Sequence, residues 1–71
     1  MIELGQLRRW TDPGYGTGAF LIVKHIGKFH PQGSRHLVLE DHWELMEDGE
    51  LHTGWSSSLL EDLSEAVSGA Q

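Results

Sequence analysis

The stretch HWELMEDGELHTGW, residues 42–55, sets an Asp48-Gly49 pair between two runs that mix apolar and polar residues, the mark of a chain that doubles back. Two registers compete across it. A two-residue loop at Asp48-Gly49 sets Leu45 opposite His52 and Met46 opposite Leu51, which divides the apolar residues between the two faces. A three-residue loop, Glu47-Asp48-Gly49 with Gly49 left-handed in a G1 bulge, pairs Leu45 with Leu51, Trp43 with Thr53 and Asp41 with Trp55 on one face. It also pairs Glu44 with His52 on the other face, where opposite charges contribute a few tenths of a kcal/mol. Burying a leucine is worth ~1.5–3 kcal/mol. The larger effect selects the three-residue loop.

Upstream, HLVLEDHWELM (36–46) alternates, with Leu37, Leu39, Trp43 and Leu45 on one face and Val38, Glu40, His42 and Glu44 on the other. Asp41 breaks the apolar set, so a β-bulge is expected near it. AFLIVKHI (19–26) is rich in β-branched and aromatic residues and apolar on both faces as far as Val23, which predicts a central, well-buried strand. A first strand is expected over Gln6 to Trp10. TDPGYGTG (11–18) and GKFHPQGSR (27–35) carry the proline and glycine chemistry of loops. In the tail, SSSLLEDLSEAVSGAQ, the Ser58 and Glu61 spacing suits a capping box, and Leu59, Leu60, Leu63 and Val67 suit one helical face. The alternative is a single helical turn leading into a short final strand between Glu61 and Ala66. Residues 68–71 are expected to fray.

With 71 residues and no cysteine, the chain is one domain, 1–71, that neither disulfides nor thiolate-bound metal can staple. Either its small core suffices, helped by three tryptophans, or the chain forms a homo-oligomer. The net charge of -6 argues against nucleic acid, whose phosphates are bound by neutralising charge. The five basic residues, Arg8, Arg9, Lys24, Lys28 and Arg35, all fall in the first half and are the candidates if that argument fails. The longest apolar run, GAFLIV (18–23), is too short to span a bilayer. A cytoplasmic, non-membrane protein is the expectation.

Catalytic and metal signals are weak. His25, His30, His36, His42 and His52 have no close pair at a ligand spacing, and only His42, Glu44 and His52 are expected to share a sheet face, pointing to solvent. Ser56, Ser57 and Ser58 lack a G-x-S-x-G elbow. The pairs Glu40/Asp41 and Glu61/Asp62 are adjacent in sequence and so point apart. GYGTG lacks the following helix that a phosphate cradle requires. No enzyme, metal or cofactor is expected. The aromatic residues are the better lead. Phe20 and Trp43 are assigned to the core, while Trp10, Tyr15, Phe29 and Trp55 are the candidates for a groove that takes a protein partner.

The order of strand, Gly/Pro loop, central strand, loop, long hairpin, serine-led turn and terminal segment resembles small SH3-like β-barrels, especially the short proteins of that type encoded by tailed phages. The resemblance rests on Gly5, Leu7 and Arg9 of a G-x-L-x-R start and on Gly16, Gly18, Ile22 and Val23 of the second strand. Trp43, Asp48 and Gly49 of the hairpin follow, then Trp55 ahead of a turn with Leu59 and Leu60. It spans about residues 4–66 and implies a helical turn followed by a closing strand. The aromatic-acidic loop motif of peptide-binding SH3 domains is represented only by Tyr15 in DPGYG, and the basic loop of KOW-type RNA-binding barrels is missing. The expected protein is therefore mainly β: a small five-stranded SH3-like barrel with a short helical turn near the C-terminus. It would work without catalysis, by contact with an unknown protein or by self-association, in the host-cell cytoplasm if phage-encoded. A nucleic-acid-binding barrel is the rival.

Overall fold

Asp48 and Gly49 carry φ angles of 52° and 79°. Two successive left-handed residues make a type I′ turn, the one whose twist matches that of the strands it joins. The computed structural model, which describes residues 1–16, 18–29 and 39–67, therefore closes the hairpin with the two-residue loop. The three-residue register is overturned. Strands β3 (Glu40–Glu47) and β4 (Glu50–Ser56) pair Glu47 with Glu50, Met46 with Leu51 and Leu45 with His52. Leu45 is buried at 1% exposure and Leu51 stands out at 57%, so the two leucines lie on opposite faces of the sheet.

The apolar residues still reach the core because β4 carries a second correction. The register shifts between Trp43 and Leu45, where Gly54 has φ 90°. An extra residue in one strand flips the face of everything beyond it. Trp55 thereby arrives opposite Trp43, on the core side. A turn that sends Leu51 outward and a bulge that brings Trp55 inward together replace the one-step register expected from Leu51.

Strand β2 (Ala19–Phe29) is the long spine. It pairs with β1 (Leu7–Trp10) through Leu7–Leu21 and Arg8–Phe20, and with β3 through Leu21–Met46 and Ile22–Leu45. Phe20 and Ile22 are buried while Leu21 is 39% exposed. The expectation that this strand is covered on both faces fails at Leu21. Two register shifts bend β2, between Ile22 and Lys24 and between His25 and Gly27. The irregularity expected near Asp41 is present beside it, between His25 and Gly27, with the extra residue on the facing strand β2. Leu39, assigned to the core face, precedes β3 and is exposed; Leu37 and Val38 lie outside the described residues.

Helix α1 (Ser57–Leu63) and strand β5 (Ser64–Ala66) complete the chain. A helical segment followed by a short strand is what the resemblance implied. The cap differs: Ser56, not Ser58, accepts the Leu59 amide, and Ser58 bonds instead to Glu40 through its amide at 2.8 Å and its hydroxyl at 3.0 Å. Leu60 is fully buried, Leu63 is half-buried and Leu59 is exposed, so Leu59 is not on the packed face. Residues 68–71, expected to fray, lie outside the described residues.

The result is one five-stranded antiparallel sheet in the order β4-β3-β2-β1-β5, with β4 and β5 as its edges and no closure into a barrel among the described residues. Ile2, Trp10, Phe20, Ile22, Trp43, Leu45 and Leu60 form the core, with Trp55 and Leu63 against it. Arg8 is buried too, and it ties β5 to β1. Its guanidinium donates to the Ser64 hydroxyl at 2.8 Å, the Ser64 carbonyl at 3.0 Å and Gln6 Oε1 at 3.0 Å. Burial lowers its pKa, and the nearby Glu61 and Glu65 oppose that shift. Among the described residues no helix is long and apolar enough to cross a membrane.

Candidate functional site

The loop after β1 is built to lie on an indole. The Asp12 carboxylate accepts the Gly14 amide at 2.8 Å, and the Asp12 carbonyl accepts the Tyr15 amide at 3.0 Å. This is the side-chain-to-backbone turn that aspartate favours. It swings Tyr15 back over Trp10, with ring centroids 5.8 Å apart and planes at 29°. Gly16 follows at φ 139°, so close that a Cβ there would sit 3.1 Å from Trp10 Cδ1. Only glycine lets the backbone approach so near with that dihedral.

Trp55 comes to the same place from β4. Its ring lies 5.2 Å from Trp10 and 5.9 Å from Tyr15, the latter edge-on at 75°. Phe20 closes the underside of Trp10 at 4.4 Å. The Trp10 indole N–H donates to Glu47 Oε2 at 2.9 Å, so a carboxylate borders the cluster. Trp10 is its buried floor, Trp55 is half-buried, and Tyr15 is 50% exposed. The rings touch one another, so what they offer a partner is a surface of aromatic faces and edges.

Three of the four aromatic candidates therefore gather. Phe29 does not: it ends β2 opposite Glu40, exposed, with its ring edge-on to His42 at 5.6 Å. The basic candidates do not gather either. Arg8 is buried and engaged by Ser64. Arg9 is paired with Glu65, Lys24 lies opposite Glu44 and Lys28 opposite Asp41. Arg35 lies outside the described residues.

His42, Glu44 and His52 do not share a solvent face. His42 is buried with Nδ1 2.9 Å from the Glu40 carbonyl, and His52 opposes Leu45. His25 lies on Trp43 at 4.8 Å with Nε2 2.9 Å from Asp41 Oδ1, a contact that required the true β2–β3 register. His30 and His36 lie outside the described residues. All three serines of the run are engaged in holding the fold. Ser56 caps α1, Ser57 accepts the Trp43 indole N–H at 2.8 Å and donates to the Asp41 carbonyl, and Ser58 holds Glu40. Glu61 meets the Met1 amine at 2.8 Å, which holds its carboxyl below the usual carboxylate value.

Sequence reading missed two features. Glu47 as the indole acceptor was hidden because the favoured register placed it in the loop. The exposed row Leu7, Leu21, Met46 and Leu51 was hidden for the same reason, although Asp48-Gly49 is itself the strongest signal for the turn that creates it. No family of known proteins, no curated protein and no solved structure matches the chain.

Proposed function

We propose that this protein is a non-enzymatic interaction module, an SH3-like barrel of the kind tailed phages encode, that binds a protein partner through Tyr15 and Trp55 over the Trp10 floor. The carrying observation is that a loop tyrosine, half exposed, stacks on a buried indole beside a second tryptophan. Rigid aromatic groups held this way present large contact area with little ordering cost, and such anchors dominate interface energies. The strand order β4-β3-β2-β1-β5, with α1 linking the two edges, supports the barrel reading because further curling would bring those edges together. The absence of cysteine accords with the cytoplasm, the host cell's if the protein is phage-encoded. Among the described residues, nothing in the placement of Arg8, Arg9, Lys24 and Lys28 favours the nucleic-acid reading.

The test is selection of peptides from a random library on the immobilised chain, followed by calorimetry with the Tyr15→Ala, Trp55→Ala and Phe29→Ala variants. Tyr15→Ala and Trp55→Ala are expected to weaken binding at least tenfold, about 1.4 kcal/mol, while Phe29→Ala leaves it unchanged. Peptides indifferent to Tyr15 and Trp55 would refute the site. Retention on heparin that collapses with salt would restore the nucleic-acid rival.

A further inference from the structure

The three rings of the aromatic site leave one face open. Their centroids form a nearly equilateral triangle with sides of 5.2, 5.8 and 5.9 Å. Trp10 and Trp55 therefore lie to the same side of Tyr15, and neither covers the tyrosine face turned away from Trp10. An aromatic face carries partial negative charge. Two carboxylates border the rings. Glu47 Oε2 accepts the Trp10 indole N–H at 2.9 Å, and a Cβ built on Gly16, the residue after Tyr15, would stand 3.5 Å from that same oxygen. The Asp12 carboxylate holds the Gly14 amide, one residue before Tyr15.

Charge points to the occupant. Among the described residues Glu47 and Asp12 are met by neutral donors only, an indole N–H and a backbone amide, so their charge is uncompensated. The positive groups of the described residues are engaged elsewhere. Ser64 holds Arg8, Glu65 holds Arg9 and Glu61 holds the Met1 amine, while Lys24 and Lys28 lie opposite Glu44 and Asp41, away from the hairpin turn. Asp48 and Glu50 continue the negative run beyond Glu47, and the whole chain, at -6, adds its field in the same sense. An anionic partner is repelled locally and overall. An uncharged one would dehydrate the carboxylates without pairing them. A guanidinium suits both features, because its plane stacks on an aromatic face and its fork of N–H donors bonds a carboxylate. Glu47 has lone pairs to spare after the indole bond. We infer that the partner presents an arginine, whose guanidinium lies on the open face of Tyr15 and donates to Glu47. This rests on the aromatic site proposed above and names what that site takes.

Neither a cation–π contact nor an ion pair is strong at an exposed position. A lone arginine side chain therefore binds with a dissociation constant on the order of millimolar, and the rest of a peptide adds to it. Salt gives the contact a signature. Unlike charges at a surface are screened, so added salt weakens the complex.

The test is an NMR titration of the isotope-labelled full chain with Nα-acetyl-arginine amide, and with the citrulline analogue that keeps the shape and loses the charge. The arginine probe is expected to shift the indole N–H signals of Trp10 and Trp55 and the amide signal of Tyr15, less tightly as salt rises. Citrulline should bind about tenfold more weakly. Glu47→Gln keeps an oxygen for the indole N–H and so keeps the fold, and it should weaken arginine about fivefold, as should Tyr15→Ala. Tyr15→Phe retains the ring and should bind as the wild type does. Glu3→Gln removes the same charge ahead of β1, whose far end carries Trp10, and should leave affinity nearly unchanged. Arginine that moves none of the three signals, binds no better than citrulline, ignores salt, or loses as much in Glu3→Gln as in Glu47→Gln would overturn the inference. The peptide selection separates this from failure of the site itself. Selected peptides that need Tyr15 and Trp55 yet carry no arginine sink the arginine alone, whereas peptides indifferent to both side chains sink the site with it.

Discussion

Truncating each of the two hairpin leucines gives the sharpest check on the register. Leu45 is 1% exposed within the core, and Leu51 is 57% exposed on the outer face. Leu45→Ala removes buried methyl groups and leaves a cavity, a loss of ~2–5 kcal/mol. A domain of this size holds a total of only ~4–11 kcal/mol. At ~4–8 °C per kcal/mol, a mid-range loss of ~3 kcal/mol lowers Tm by roughly 12–24 °C. Leu51→Ala removes atoms that mostly already touch water and should cost about 0.5 kcal/mol or less in the monomer. The assay is urea unfolding followed by tryptophan fluorescence, repeated over a range of protein concentrations. Comparable losses for the two variants at low concentration would refute the two-faced hairpin, since the three-residue register places both leucines in the same core.

Two further outcomes follow from single residues. Gly54 sits at φ 90° with nothing within 4 Å of where a Cβ would stand, so Gly54→Ala costs only backbone strain, ~1–2 kcal/mol. Gly54→Asn should cost less, and Gly18→Ala, equally open and without a left-handed φ, should be neutral or slightly stabilising by unfolding curves. The Glu61 carboxyl, held below its ordinary value of 4.5 by hydrogen bonding to the Met1 amine, ionises more readily folded than unfolded. Its stabilisation is therefore present above about pH 4.5 and lost as pH falls through the depressed value. Wild type should melt above Glu61→Gln at pH 6, and the gap should close in acid and shrink in high salt, because the pair is solvent-exposed.

What the amino-acid sequence disclosed was local, and what it concealed was two-sided. The strands at Leu7–Trp10, over 19–26 and around Asp48-Gly49, the burial of Phe20 and Trp43, and a helical segment in the tail are legible from β-branched runs, turn residues and serine spacing, whereas Gly27, Lys28 and Phe29, assigned to a loop, extend β2, and the short final strand is implied by the resemblance alone. Alternation misleads on the hairpin register because counting Leu51 as a core residue assumes that one face of a small sheet is apolar and the other polar. Here both faces carry apolar residues, so dividing them costs less than that assumption allows. The Asp-Gly dipeptide's own preference for a type I′ turn then prevails. Gly54 was invisible for a related reason. A bulge leaves no mark in alternation except the mismatch it repairs, and the three-residue loop absorbed that mismatch earlier in the strand. Arg8 and His42 show the same limit for charge. Both lie where alternation or polarity suggests solvent, and both are buried because a partner waits inside: the Ser64 hydroxyl and carbonyl for Arg8, the Glu40 carbonyl for His42. The Ser64 groups reach Arg8 through the fold-back of β5, whereas the Glu40 carbonyl lies two residues from His42 on the same strand. The hairpin register and the exposed row are one fact seen twice. Once Met46 opposes Leu51 and Leu21 opposes both Leu7 and Met46, the row on the outer face must exist.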